Sequence, residues 1–266
     1  MFQSARFDSA GGTLELFMKK SEAFETVSSL GWLSKQPTAF QTRPLGDARL
    51  RSYGPGEVLF EAGDPAHSLV GLTSGTFEVA LDHPQFHLQL VHIARPGTWL
   101  GQAAAYGNDR TRSVAVRAKT KSSAIVISRQ KIEAMIEEDP LCLRYFALLS
   151  ELHLHECLRA IAELSQRDSF SKVCARLISL GVSLVRGSNA KTIEIPVTHD
   201  EFASLCGISR KTLERVLVEL KQMGVINIHY RAITILDLRG LSAIAAGDAL
   251  AEANGKLRAA RHLKAG

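Results

Sequence analysis

The sequence holds 266 residues, long enough for two domains with ordinary cores, and its 45% hydrophobic and 22% charged content exclude wholesale disorder. No apolar run reaches the ~18 residues of a membrane helix, because Arg144 and Glu151 interrupt the best candidate. The net charge of +5 is uneven: residues 165–266 carry 15 Lys/Arg against 9 Asp/Glu, leaving 17 against 18 before them, an asymmetry expected when one domain faces a polyanion.

Met1–Lys20 lacks an apolar segment between a basic start and a small-residue cleavage site, which argues against secretion and for a cytoplasmic protein with no membrane partner. Cys142, Cys157, Cys174 and Cys206 are widely spaced, so neither a zinc site nor a disulfide framework is expected. No cysteine precedes Cys142, which removes the ligands for an N-terminal iron–sulfur cluster.

In chain order, residues 1–45 have little periodicity and are expected to form a poorly packed or partly helical extension. From 46 to 138 short apolar runs (Val58–Phe60, Leu69–Leu72, Phe77–Leu81, Leu88–Ile93, Ser113–Ala118, Ala124–Ile127) alternate with Gly- and Pro-bearing turns, the pattern of a β-roll. Lys131–Glu138 reads as a short helix, and Asp139-Pro140 then starts one of about 25 residues, ~37 Å long. Its apolar residues form two stripes, Leu143, Ala147, Leu154, Cys157, Ile161, Leu164 and Leu141, Tyr145, Leu148, Leu152, Ala162. One can cover the roll and the other can pair with the same helix of a second copy; a single buried helix in a monomer is the alternative. Arg167–Leu184 reads as another helix, followed by the polar loop Arg186–Asn189 and a strand at Thr192–Ile195. From Leu241 the Ala-rich sequence predicts a surface helix or frayed tail.

Thr198-His199-Asp200-Glu201 is a T-x-x-E capping box, which starts a helix. That helix runs through Phe202 and Leu205, stops at Gly207, and a second begins with Ser209 as its N-cap. Leu213, Val216, Leu217 and Leu220 give the second helix one apolar face, leaving Arg210, Lys211, Glu214 and Arg215 outward at its N-terminal end. Arg or Lys there can pair with guanine edges and Glu can accept from cytosine. The hydroxyls of Thr198, Ser209 and Thr212 suit phosphate contacts. After Gly224, Val225–Ile228 and Ala232–Leu236 around His229-Tyr230-Arg231 read as a wing, with Arg231 placed for a backbone phosphate. Any charged helix face can simply be solvated; here the cap, the turn glycine, the apolar spacing and the wing agree on DNA binding.

Cys206–Leu217 resembles the winged helix-turn-helix of Crp/Fnr regulators. Upstream, Pro55-Gly56-Glu57 and Glu61–Ala66 resemble that family's β-roll, and Gly101–Ser113 its phosphate-binding cassette. The resemblance implies an α+β chain: a cyclic-nucleotide-binding-like β-roll (46–138), a dimerisation helix (139–165), a winged helix-turn-helix (166–240) and a tail (241–266). It implies a homodimer on a two-fold symmetric double-stranded DNA site and contact with RNA polymerase, with Arg210 and Arg215 meeting bases or phosphates. Lys211 stands where the family often has Glu, so the operator is expected to differ at one base pair per half-site. In cyclic-nucleotide-binding members a Gly-Glu pair takes the ribose hydroxyl and an Arg-Ser pair holds the phosphate. This chain keeps Gly101, Arg112 and Ser113 but has Gln102 in place of the Glu, and Cys157 and Leu158 replace hydroxyl residues on the dimer helix. The effector stays open, and a cyclic nucleotide is not favoured.

Other readings remain. A regulator without a small effector is one, and a cyclic-nucleotide-responsive module docking protein partners is another. Enzyme activity is not expected, since no P-loop, G-x-S-x-G elbow, H-E-x-x-H or dinucleotide fingerprint occurs. His83, His87 and His92 read as exposed loop histidines without a second ligand motif, and His153 and His155, two apart on a helix, cannot share a face.

Overall fold

The computed structural model describes residues 20–81, 89–106, 111–185 and 192–246. The chain divides into two compact units, Met1–Leu154 and His155–Gly266.

The first unit opens with α1 (20–29), a 3-10 turn at Leu33–Lys35 and α2 (Thr38–Leu45). It continues through β1 (Arg49–Tyr53), β2 (Val58–Phe60), β3 (Ser68–Ser74), β4 (Phe77–Leu81), β5 (Gln89–Ala94), β6 (Trp99–Leu100), α3 (Ala103–Tyr106), β7 (Ala115–Ala118), β8 (Ser122–Ser128) and α4 (Arg129–Glu138). The strands form two antiparallel sheets, β1-β8-β3-β6 and β2-β7-β4-β5. Phe60, Phe77, Val79 and Val116 of one sheet meet Val70, Leu72, Leu100 and Ala124 of the other in a shared apolar core, which makes the pair a β-roll. The sequence reading missed β1, whose residues are exposed or half-buried, and the two-residue β6.

A second core lies outside the roll: of the extension expected to be poorly packed or partly helical, residues 20–45 are largely helical and well packed, and 1–19 lie outside the described residues. Ala23, Val27, Trp32, Leu33, Phe40 and Leu45 are all buried, against Leu69, Trp99, Ile125, Ile127 and Phe146. Trp32 stands 5.5 Å from Trp99 and 5.8 Å from Phe40, ring centre to ring centre, and its Nε1 donates to Tyr145 O at 2.9 Å. These apolar residues are spread over three short elements, none long enough to show a period of its own. Arg43 adds a charged clamp, pairing with Glu138 (3.0 Å) and donating to Asp139 (2.9 Å) where α4 ends.

α5 (Leu141–Leu164) begins in the first unit and ends in the second. The side that packs on the first unit is Cys142, Phe146 and Leu149, flanked by Tyr145 and Leu152. This corrects the two stripes: Cys142, Phe146 and Leu149 belong to neither, and of the second stripe Leu141, Leu148 and Ala162 are exposed. Because buried positions recur every 3 to 4 residues, a one-residue error in phase turns the face.

The second unit contains α6 (Ser169–Val185), β9 (Ile193–Ile195), α7 (His199–Cys206), α8 (Arg210–Gln222), β10 (Ile226–His229), β11 (Ala232–Ile235) and α9 (Leu238–Ala245). The antiparallel sheet runs β10-β11-β9, and β10 and β11 turn through Tyr230 and Arg231 as a hairpin. α9, capped by the Asp237 carboxylate accepting from Gly240 N, buries Leu241 and Ile244, so its start is core and not surface. The rest of the expected tail and the loop Arg186–Asn189 lie outside the described residues. At the end of α5, Glu163 and Arg176 form a buried ion pair at 3.0 Å.

Candidate nucleic-acid interface and effector site

The capping box at Thr198 is present in both halves. Thr198 Oγ1 accepts from Glu201 N at 3.3 Å, and the Glu201 carboxylate accepts from Thr198 N at 2.7 Å. α7 ends at Gly207, whose left-handed backbone (φ 61°, ψ 38°) reverses the chain between the two helices. Ser209 then caps α8, its Oγ accepting from Thr212 N at 3.2 Å and pairing with Thr212 Oγ1 at 2.8 Å. The three hydroxyl oxygens expected to meet phosphate are therefore already engaged in shaping helix starts.

α8 buries Leu213, Val216, Leu217 and Leu220. Arg210, Lys211 and Arg215 are exposed, and Thr212 and Glu214 are half-buried. Arg210 is tethered: Nε donates to Glu214 Oε1 at 2.8 Å and Nη1 to Asp200 Oδ2 at 3.0 Å. His199 Nδ1 lies 3.5 Å from the same Glu214 oxygen. The Arg210 hydrogen bond holds the Glu214 carboxyl below its ordinary value. Lys211 and Arg215 have no ionic partner among the described residues. At the wing tip Tyr230 is 92% exposed, and Arg231 adopts a positive φ of 57°. Sequence reasoning did not single out Asp200, because its partner is ten positions away.

In the roll, Gly101 and Arg112 meet. Gly101 has φ 90°, and a Cβ there would overlap Arg112 Nη1 and sit 2.8 Å from Ser68 O. Only glycine fits under the guanidinium. Arg112 is 6% exposed, donates from Nη2 to Ser68 O (2.7 Å) and Ser68 Oγ (3.1 Å), and lies 4.2 Å over the Phe60 ring. Its Nε and Nη1 are buried without a hydrogen-bond partner among the described residues. Burial pulls this guanidinium below its ordinary value, against the pull of the nearby Asp64. Ser113 is exposed and Gln102 half-buried. Ser68 and Phe60 carry no sequence motif that marks them.

The donor set is suited to anionic oxygens, which two unpartnered guanidinium nitrogens can take, while Gln102 supplies no carboxylate for a ribose diol.

His92 is half-buried in β5 and not in an exposed loop, since it pairs with Val79 across the sheet; His83 and His87 lie outside the described residues. Burial lowers the His153 imidazole, opposed by a hydrogen bond to the Trp99 backbone, while His155 is exposed. Among the described residues no cluster of three His, Cys, Asp or Glu could hold a metal. Cys142, Cys174 and Cys206 are buried free thiols, and burial pushes the latter two up to about 12; Cys157 is exposed.

Comparison with known proteins gives two matches along the chain, a cyclic nucleotide-binding domain over residues 50–139 and a Crp-like helix-turn-helix domain over 171–244. The cAMP-activated global transcriptional regulator CRP of Haemophilus influenzae is 23% identical over 211 residues, covering 77% of this chain and 94% of that protein. The transcriptional regulator SdrP of Thermus thermophilus is 28% identical over 156 residues, 58% of this chain and 72% of its own length. FixK2 of Bradyrhizobium japonicum shares the fold with a TM-score of 0.65 at 17% identity, covering 73% of this chain and 96% of that one. The chain belongs to the Crp/Fnr family. This Crp/Fnr chain is a transcription regulator that joins a cyclic-nucleotide-binding-type β-roll to a DNA-binding winged helix-turn-helix.

Proposed function

We propose that the regulator acts as a homodimer on a two-fold symmetric operator, each α8 entering one major groove, with an anion in the roll as its effector. In this reading 46–138, joined by the packed helices of 20–45, senses; 139–165 dimerises; 166–240 binds DNA. The DNA contacts are Thr198, Ser209, Arg210, Lys211, Thr212 and Arg215, with Glu214 on the same face. The observation that carries it is the outer face of α8, where Lys211 and Arg215 stand exposed without ionic partners opposite a fully buried apolar face.

Dimerisation is supported by α5. Leu154 (58% exposed), Leu158 (53%), Ile161 (59%) and Leu164 (44%) follow 3-and-4 spacing, as in a two-helix seam. Burying each against a second copy gains roughly 1.5–3 kcal/mol. The family likeness supports contact with RNA polymerase, a cytoplasmic location and the absence of catalytic activity; none of the described helices is long and apolar enough to cross a membrane.

The test of the DNA reading is site selection on genomic fragments followed by salt titration of the best site. A two-fold motif is expected, with affinity falling about 10³–10⁵-fold between ~50 and ~200 mM salt if six to ten phosphates are neutralised. A protein-docking wing would give neither a motif nor that slope. For the effector, calorimetric titration with inorganic phosphate, cAMP and cGMP is expected to show binding of a simple anion that Arg112→Gln abolishes, and no gain from the nucleoside. The bonds of Arg112 to Ser68 and Phe60 favour a second reading, a regulator with no small effector. Silence with every anion selects it.

A further inference from the structure

The grip on Arg210 is unusual for a residue meant to meet DNA. A carboxylate on each helix of the helix-turn-helix holds it: Asp200 from the first turn of α7 and Glu214 from α8. The arginine and its two acids sum to one negative charge, on a face that must approach phosphate. The acids therefore weaken general attraction to DNA, and a gain in affinity does not account for them.

Geometry supplies another account. The guanidinium has five N–H donors in a rigid fork. Glu214 takes the single Nε proton and Asp200 one of the Nη1 protons, which leaves the second Nη1 proton and both Nη2 protons for a ligand. Both terminal nitrogens thus keep a donor, as bidentate pairing to guanine O6 and N7 requires, on a side chain that is 58% exposed. A long exposed side chain gripped at two points has fewer rotamers to lose on binding, so discrimination sharpens even as attraction falls.

We propose that Asp200 and Glu214 are positioning residues that fix Arg210 for one guanine edge, and that Glu214 reads no cytosine of its own. The sequence-based role for Glu214 changes accordingly: its engaged oxygen, Oε1, already serves Arg210 and neighbours His199. Lys211 and Arg215, which no described carboxylate neutralises, then supply the attraction to the duplex. This inference rests on the reading of α8 as the recognition helix.

The experiment is selection from randomised half-sites with the full-length protein and the variants Arg210→Ala, Asp200→Asn, Asp200→Glu and Glu214→Gln, together with affinity for a non-specific duplex at fixed salt. Arg210→Ala is expected to cut discrimination at one base pair per half-site about tenfold or more. Asp200→Asn and Glu214→Gln should relax that same base pair severalfold while raising non-specific affinity, and Asp200→Glu should restore most of the preference. Opposite signs in discrimination and attraction are what a merely structural surface pair would not give. If Asp200→Asn strengthens specific and non-specific binding alike with the preference intact, the positioning role is overturned. If Glu214→Gln changes a different base pair, Glu214 is itself a reader and the inference falls for that residue. If Arg210→Ala alters no base preference, the assignment of Arg210 to the groove fails first, a separate result from failure of the grip.

Discussion

Replacing both Leu154 and Ile161 with glutamate is expected to leave the protein monomeric and to lower its affinity for a two-fold operator by more than about a thousandfold. Both side chains are more than half exposed on α5 and lie seven residues apart, on one side of the helix. In a two-helix seam each would face its counterpart, so the double variant places four carboxylates where apolar side chains should close against each other. Holding two half-sites at once converts the second contact into an intramolecular event with an effective concentration in the millimolar range; a monomer loses that advantage. Mass by light scattering and operator binding should change together. A variant that remains dimeric would place the interface elsewhere, and one that is monomeric yet binds the full operator at wild-type affinity would remove dimerisation from the mechanism. The fold itself should survive, because neither side chain belongs to a core.

Phe146→Ala is expected to destabilise the first unit by about 3–5 kcal/mol. Phe146 has no exposed surface, and its ring lies 5.9 Å from Trp32 and 5.6 Å from Phe40. Truncation leaves a cavity that rigid aromatic neighbours cannot collapse into. For a unit of this size the melting transition should fall by roughly 10 °C. Trp32 and Trp99 both border the cluster, so tryptophan fluorescence follows this unit directly. A change below about 1 kcal/mol would mean that the packing around Phe146 is looser than its burial indicates.

What the sequence disclosed was local. The capping box at Thr198, the turn at Gly207 and the cap at Ser209 each complete their hydrogen bonds within three or four residues, and α8 declared its buried face through Leu213, Val216, Leu217 and Leu220. What stayed hidden depended on distant partners. Trp32 is buried because Tyr145 and Trp99 come to it, and no pattern in 1–45 announces that. The buried side of α5 was misjudged because helical phase fixes which residues lie together but not which neighbour arrives. Arg112 was picked out by position in a motif; that it rests on Phe60 and Ser68, 52 and 44 positions earlier, is a property of the closed roll. The grip of Asp200 on Arg210 likewise crosses from one helix to the next.

The packed helices before the roll bear on how this protein can be cut. The stretch recognisable as a cyclic-nucleotide-binding domain begins at residue 50, yet six buried apolar residues of the outer core lie between Ala23 and Leu45. A gene fragment trimmed to the recognisable boundary would present Trp99, Ile125, Ile127 and Phe146 to water and invite aggregation. The frontier of family likeness and the frontier of an autonomously foldable piece are different places in this chain, and an expression strategy has to honour the second.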